Sequence, residues 1–117
     1  MQLTPHFTSE ELQCKCGCGD DKIDMVALQM LERARMYAQM PFHINSGKRC
    51  IKHNAEVGGK EDSAHLDGYA FDVKCDNSSD KFIMIRCFLR AGFVRLGIYK
   101  TFIHVDADPT KPQEVAW

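Results

Sequence analysis

Apolar side chains recur at helical spacing in two long stretches of the chain. From Met25 to Gln39, residues Ala27, Met30, Leu31, Ala34 and Ala38 share one face, while Glu32, Arg33 and Gln39 point away from it. Asp24 precedes this stretch as an N-cap and Pro41 stops it. The second helix runs from about Asp80 to Ala91, capped by Ser78 or Ser79 and ended by Gly92. Its expected core face is Phe82, Ile85 and Leu89, widened by Ile83 and Phe88. Two shorter helices are marked by their ends. Thr8-Ser9-Glu10-Glu11 reads as a capping box, and Cys50 to Val57 closes on Gly58-Gly59.

Four segments read as strands: Phe42 to Asn45, Tyr69 to Val73, Leu96 to Tyr99 and Thr101 to Asp106. Alternation puts Phe71 and Val73 on one face of the second, with Ala70 and Asp72 on the other. In the last, Ile103 and Val105 make a core face, and His104 shares the opposite face with Phe102 and Asp106. The turn-rich stretch from Cys14 to Asp21 is a loop, and the tail through Pro109 and Pro112 is irregular, with Trp117 placed to fold back. The expected fold class is α+β, a small, mostly antiparallel sheet with helices packed on it.

Length and charge narrow the functional classes. At 117 residues the chain forms one domain with one core. Fifteen basic and sixteen acidic side chains give a net charge of −1, and no Lys/Arg run is present. No field of one sign draws the protein to nucleic acid, so nucleic acid is not an expected partner. No apolar run approaches membrane-spanning length. MQLTPHFTSEEL lacks the basic start and apolar stretch of a secretory leader, so synthesis in the cytoplasm without a signal peptide is expected. Six cysteines are many for this length, and the missing leader favours thiols or metal ligation over disulfides. A monomer is expected.

Chemistry enters with Ser63-Ala64-His65-Leu66-Asp67-Gly68-Tyr69-Ala70-Phe71-Asp72. Asp72 and His104 sit mid-strand, and each is costly to bury alone. His65 lies on the loop leading into the strand of Asp72. If the two strands are neighbours, both histidines and the aspartate converge. Two imidazoles and a carboxylate, with one position left for water, are the ligands of a catalytic zinc site, where water is activated near neutral pH. The alternative is a surface His65 and a self-satisfied buried pair of Asp72 and His104.

The motifs add a resemblance. Ser46-Gly47-Lys48-Arg49-Cys50, His53-Asn54, Val57-Gly58-Gly59, the Ser63–Asp72 segment and Phe102-Ile103-His104-Val105-Asp106 follow in that order. The series resembles the zinc D-Ala-D-Ala carboxypeptidase family of cell-wall metallopeptidases, and looks most like its short, single-domain, often phage- or prophage-encoded branch. It extends from about Phe7 to Asp106. The resemblance implies a hedgehog/D-Ala-D-Ala peptidase-like fold and one catalytic Zn2+ held by His65, Asp72 and His104. It implies that Arg49 binds the substrate carboxylate, a role suited to a planar guanidinium fork, and that Ser63 lies near the substrate. On the residues alone, Arg49 also reads as solvated and Ser63 as a turn residue. The implied substrate is a peptidoglycan stem peptide and the implied reaction D-Ala-D-Ala carboxypeptidase. In relatives the same scaffold cleaves L-Ala-D-Glu or cross-bridge bonds. A zinc-containing module that only grips cell-wall peptide is the non-enzymatic alternative. Such a protein acts on the wall once released or as part of a virion.

One departure concerns the general base. Several relatives carry Glu three positions before the last zinc histidine or His two before it, where this chain has Thr101 and Phe102. Asp106, about 7 Å from His104 along the strand, stands as the base or as the group that orients His104. Cys14, Cys16, Cys18 and Cys50 are candidates for a second, structural ion or for a staple of the N-terminal loop, although Cys-x-Cys-x-Cys is not the usual metal spacing. Cys87 reads as a buried apolar thiol.

Overall fold

The computed structural model describes all 117 residues. Strands β1 (Gln2–Thr4) and β2 (Phe7–Thr8) form a small hairpin. Helix α1 (Ser9–Leu12) follows directly, and Thr8 makes both halves of the capping box with Glu11. After the cysteine loop, Asp24 caps α2 (Met25–Ala38) by accepting from the Ala27 N–H. Then come β3 (Ile44–Ser46), α3 (Ile51–Glu56), a single 3-10 turn (Ala64–Asp67) and β4 (Ala70–Lys74). Helix α4 (Ser78–Ala91) leads to β5 (Arg95–Ile98), β6 (Phe102–Asp106) and β7 (Val115–Ala116).

The main sheet runs in the order β3-β4-β6-β5-β7, and every pairing is antiparallel except that of β5 with β7. Phe71, Val73, Leu96, Ile103 and Val105 send one face of the sheet into a single core cluster with Leu28, Leu31, Ala34, Met84 and Phe88 of the two long helices. Burial of that apolar face drives the collapse. It also holds the register, because a slip of one residue would turn Asp72 and His104 inward.

Five expectations are corrected. Phe82 and Leu89 are 65% and 54% exposed, and the buried line of α4 is Met84, Cys87, Phe88 and Ala91, with Ile83 and Ile85 half-buried beside it. That line is also a helical stripe, rotated from the expected one, and packing against α2 and the sheet selects it. Phe82 instead lies under the Arg86 guanidinium, 5.6 Å from its ring centre. Glu32 is buried rather than outward, because its two oxygens accept from the backbone N–H and ring Nδ1 of His6 at 2.7 and 2.6 Å. The cap of α4 is Asn77, not Ser78 or Ser79. The first strand of the main sheet starts at Ile44, and the tail is not wholly irregular, since β7 pairs with β5. Phe42 remains buried and its ring packs 5.4 Å from Phe88.

Candidate metal centre

The outer face of β4, β6 and β5 carries the polar residues. Register places Asp72 directly opposite His104, Ala70 opposite Asp106, and Gly97 opposite His104 on its other side. His65 arrives from the 3-10 turn, which Ser63 caps by accepting from the His65 N–H at 3.2 Å. Gly68 ends that turn at φ +76°, and a Cβ there would lie 2.3 Å from the Lys22 carbonyl. Only glycine fits both the left-handed backbone and the close approach.

Three ligand atoms converge. His65 Nε2 and His104 Nδ1 lie 3.2 and 2.9 Å from the same oxygen of Asp72, Oδ1. The two rings meet nearly edge-on, 5.2 Å apart. His65 is buried, and its Nδ1 sits 2.7 Å from the Gly47 carbonyl. His104 Nε2 sits 2.7 Å from Asp106 Oδ2. The other oxygen of Asp106, a residue only 1% exposed, accepts from Arg95 Nε at 2.7 Å and from the Asp108 N–H at 3.1 Å.

These partners assign the protons. A carbonyl only accepts, so Nδ1 of His65 carries the hydrogen and Nε2 carries a lone pair. Burial pushes the Asp106 carboxyl up, but the bonds from His104 and Arg95 outweigh it and hold the group below the usual carboxylate range. Ionised Asp106 then takes the Nε2 hydrogen of His104, leaving its Nδ1 lone pair inward. Two imidazole lone pairs and one carboxylate oxygen thus face one another. Such a set requires positive charge between its members, either an extra proton on each ring or one divalent cation. With the extra proton on each ring, both inward nitrogens donate to Asp72. Burial raises the Asp72 carboxyl, yet those bonds from His104 and His65 set it below its ordinary value. For His104, burial lowers the pKa and the bonds to Asp106 and Asp72 more than reverse it, so the ring is held above its ordinary value. With a cation in place of those protons, the donor set fits zinc in chemistry and in number, with both imidazoles oriented by outer hydrogen bonds as metal-binding histidines require.

The three residues border a cleft of about 520 Å3, whose walls include Arg49, Ser63, Tyr99, Lys111 and Trp117. Arg49 is anchored at three points: Nε to Ser46 Oγ at 3.1 Å, one terminal nitrogen to Asn54 Oδ1 at 3.2 Å, and the other to Asp72 Oδ2 at 3.3 Å. A guanidinium has five N–H donors, so two remain. Arg95 and Trp117 were not expected at the site. The Arg95 guanidinium lies 5.3 Å from the Trp117 ring, and that ring lies 5.5 Å from His104. Trp117 Nε1 also donates to the Tyr99 hydroxyl at 2.8 Å. A signal for Arg95 existed in its alternation with Gly97, which puts its side chain on the face of His104. Nothing local marked Trp117, whose position comes from the pairing of β7 with β5. A second set of ligands, Cys14, Cys16, Cys18 and Cys50, gathers outside the cleft.

No helix is long and apolar enough to cross a membrane. A comparison with curated proteins finds no match. Residues 5–106, from before α1 to the last polar position of β6, match the family described as Peptidase M15. With most of its length covered by that match, the chain belongs to the peptidase M15 family, whose members are zinc-dependent metallopeptidases.

Proposed function

We propose that the protein hydrolyses peptidoglycan stem peptides and that its main reaction is D-Ala-D-Ala carboxypeptidase. The observation that carries this reading is the position of Arg49, fastened to Asp72 with two guanidinium hydrogens unused at the edge of the cleft. A group so placed binds the terminal carboxylate of a peptide and sets the preceding peptide bond beside the His65–Asp72–His104 set. Zinc held by these three residues supplies a Lewis acid that activates water and polarises a carbonyl.

The other residues hold and orient. Asp106 keeps the hydrogen of His104 on Nε2, and Arg95 donates to the other oxygen of Asp106 and fixes that carboxylate in place. We assign Asp106 to orienting His104 rather than to taking a proton, because both its oxygens already have partners. Ser63 caps the turn of His65 and lines the cleft, where its hydroxyl hydrogen is free for substrate. Tyr99 and Trp117 form an aromatic wall of the cleft, tied together by the bond from Trp117 Nε1 to the Tyr99 hydroxyl.

The test is incubation with a stem pentapeptide and mass analysis of the products. Release of D-Ala, lost on chelation and restored by zinc, is the expected result. Cleavage between L-Ala and D-Glu would replace the carboxypeptidase assignment with an endopeptidase one. A second reading, a module that binds cell-wall peptide without turnover, draws on the full engagement of Asp106 and on Thr101 and Phe102 standing where relatives carry a base. Saturable peptide binding with no product from the zinc-loaded protein would favour it.

A further inference from the structure

Beside the cleft lies a cluster that the peptidase chemistry does not use. Cys14, Cys16 and Cys18 come from the loop after α1, and Cys50 comes from the N-cap of α3. Sulfur–sulfur distances are 3.5 Å for Cys14–Cys16 and 3.7 Å for both Cys14–Cys50 and Cys16–Cys50. All four Sγ atoms lie within 4.8 Å of one another. A tetrahedral zinc with Zn–S bonds of about 2.3 Å places its sulfurs about 3.8 Å apart. The Cys14–Cys16–Cys50 triangle already has the edge lengths of one face of that tetrahedron, with Cys18 within 4.8 Å as the fourth corner.

The loop is built to bring alternate side chains to one point. Gly17 and Gly19 adopt φ of +87° and +80°, and the Cys14 N–H closes the loop on the Asp20 carbonyl at 2.7 Å. Backbone N–H groups aim at the sulfurs, from Cys50 to Cys14 Sγ and from His53 to Cys50 Sγ, each at 3.4 Å. Such donors favour thiolates, the form that ligates metal. Both sides of the cluster touch the segment that serves the cleft. The Lys48 N–H bonds the Leu12 carbonyl at 2.9 Å, and a Cβ on Gly47 would lie 2.5 Å from that same oxygen. Gly47 supplies the carbonyl partner of His65, and Arg49 precedes Cys50 directly.

We propose that Cys14, Cys16, Cys18 and Cys50 bind a second zinc ion as a four-thiolate structural site that rivets the 14–20 loop to the 47–50 segment. Each thiol still protonated releases its proton to solvent on binding. Four sulfur ligands leave no open position, so the site is closed and takes no substrate. Metal binding here does not depend on the peptidase reading. Only the further step, that fixing Cys50 also fixes the neighbouring Arg49 for its substrate carboxylate, rests on that reading.

The test is zinc stoichiometry by native mass spectrometry and elemental analysis of full-length protein purified under reducing conditions. Two zinc ions are expected in the wild type, one in H65A/H104A and one in C16S/C18S. Wild-type protein with a single zinc that H65A/H104A loses would overturn the proposal, as would iron or a disulfide at the cysteines. The exposed Cys16 and Cys18 supply a check that needs no variant. They should resist a thiol reagent until a chelator or mercurial strips the metal, and immediate reaction overturns the site. Stripping the one ion of H65A/H104A should speed amide exchange at Lys48, Cys50 and His53 by about tenfold or more while Phe71 and Val105 stay protected. Unchanged exchange there would overturn the rivet. Intact stoichiometry with no peptide turnover would count against the peptidase reading alone.

Discussion

Asp106→Asn separates support of the metal site from support of the fold. Asp106 is almost fully enclosed and receives three donors: His104 Nε2 at 2.7 Å, Arg95 Nε at 2.7 Å and the Asp108 N–H at 3.1 Å. Asparagine keeps the shape, removes the charge and turns one of two acceptor oxygens into a donor. Either Arg95 or His104 then faces an N–H. Breaking a buried ion pair by removing one partner costs about 3–5 kcal/mol, against a whole-domain stability of about 5–15 kcal/mol. With a urea slope of about 1.5 kcal/mol/M, the unfolding midpoint should fall by roughly 2–3 M. Zinc affinity at the His65–Asp72–His104 set should fall about 10–100-fold, since the ring of His104 loses the carboxylate that orients it. A competition titration with a chromogenic chelator, run beside urea unfolding of the metal-free protein, reads both effects. Adding Arg95→Met removes the stranded cation and should recover much of the stability but none of the affinity. Asp106→Asn with wild-type zinc affinity would refute the orienting role, whatever its stability.

Phe88→Ala should cost about 3–5 kcal/mol and Leu89→Ala less than about 1 kcal/mol in urea unfolding, because Phe88 is fully buried and Leu89 is half in solvent. Equal costs would mean that the face of α4 is misassigned. Gly68→Ala should destabilise by more than about 1 kcal/mol and weaken zinc binding, since φ is +76° and the added carbon meets the Lys22 carbonyl; a neutral result by thermal melting contradicts this. Burial raises the Glu32 carboxyl, but the two bonds from His6 outweigh it, so its folded pKa lies below its unfolded one. Its contribution is therefore complete above the unfolded carboxylate range and lost as pH falls through the folded value, and Glu32→Gln should flatten the acid limb of the stability–pH curve. An unchanged acid limb would remove Glu32 from that account. Arg49→Lys should raise KM for a stem peptide with a free carboxylate far more than for its C-terminal amide, and equal effects would remove the carboxylate contact.

Local pattern determined much of this molecule. The period-two alternation of Phe71-Asp72-Val73 and Ile103-His104-Val105 already separated core from site, because a strand has only two faces. Caps at Thr8 and Asp24 and the αL glycines at Gly58 and Gly92 are contacts within a few residues of chain, and these are legible in sequence. Helix faces were less so. Stripes 82-85-89 and 84-87-88-91 are both apolar enough on α4, and only the positions of α2 and β6 choose between them. Glu32 illustrates the same limit, since its burial depends on His6 arriving from another element. The pairing of β4 with β6 at Asp72–His104, the Gly47 carbonyl under His65, and Arg95 and Trp117 over the cleft are contacts between distant parts of the chain. Sequence supplied the ligand types, and tertiary structure decided which lone pairs meet, because hydrogen-bond direction depends on register and crossing that no local pattern encodes.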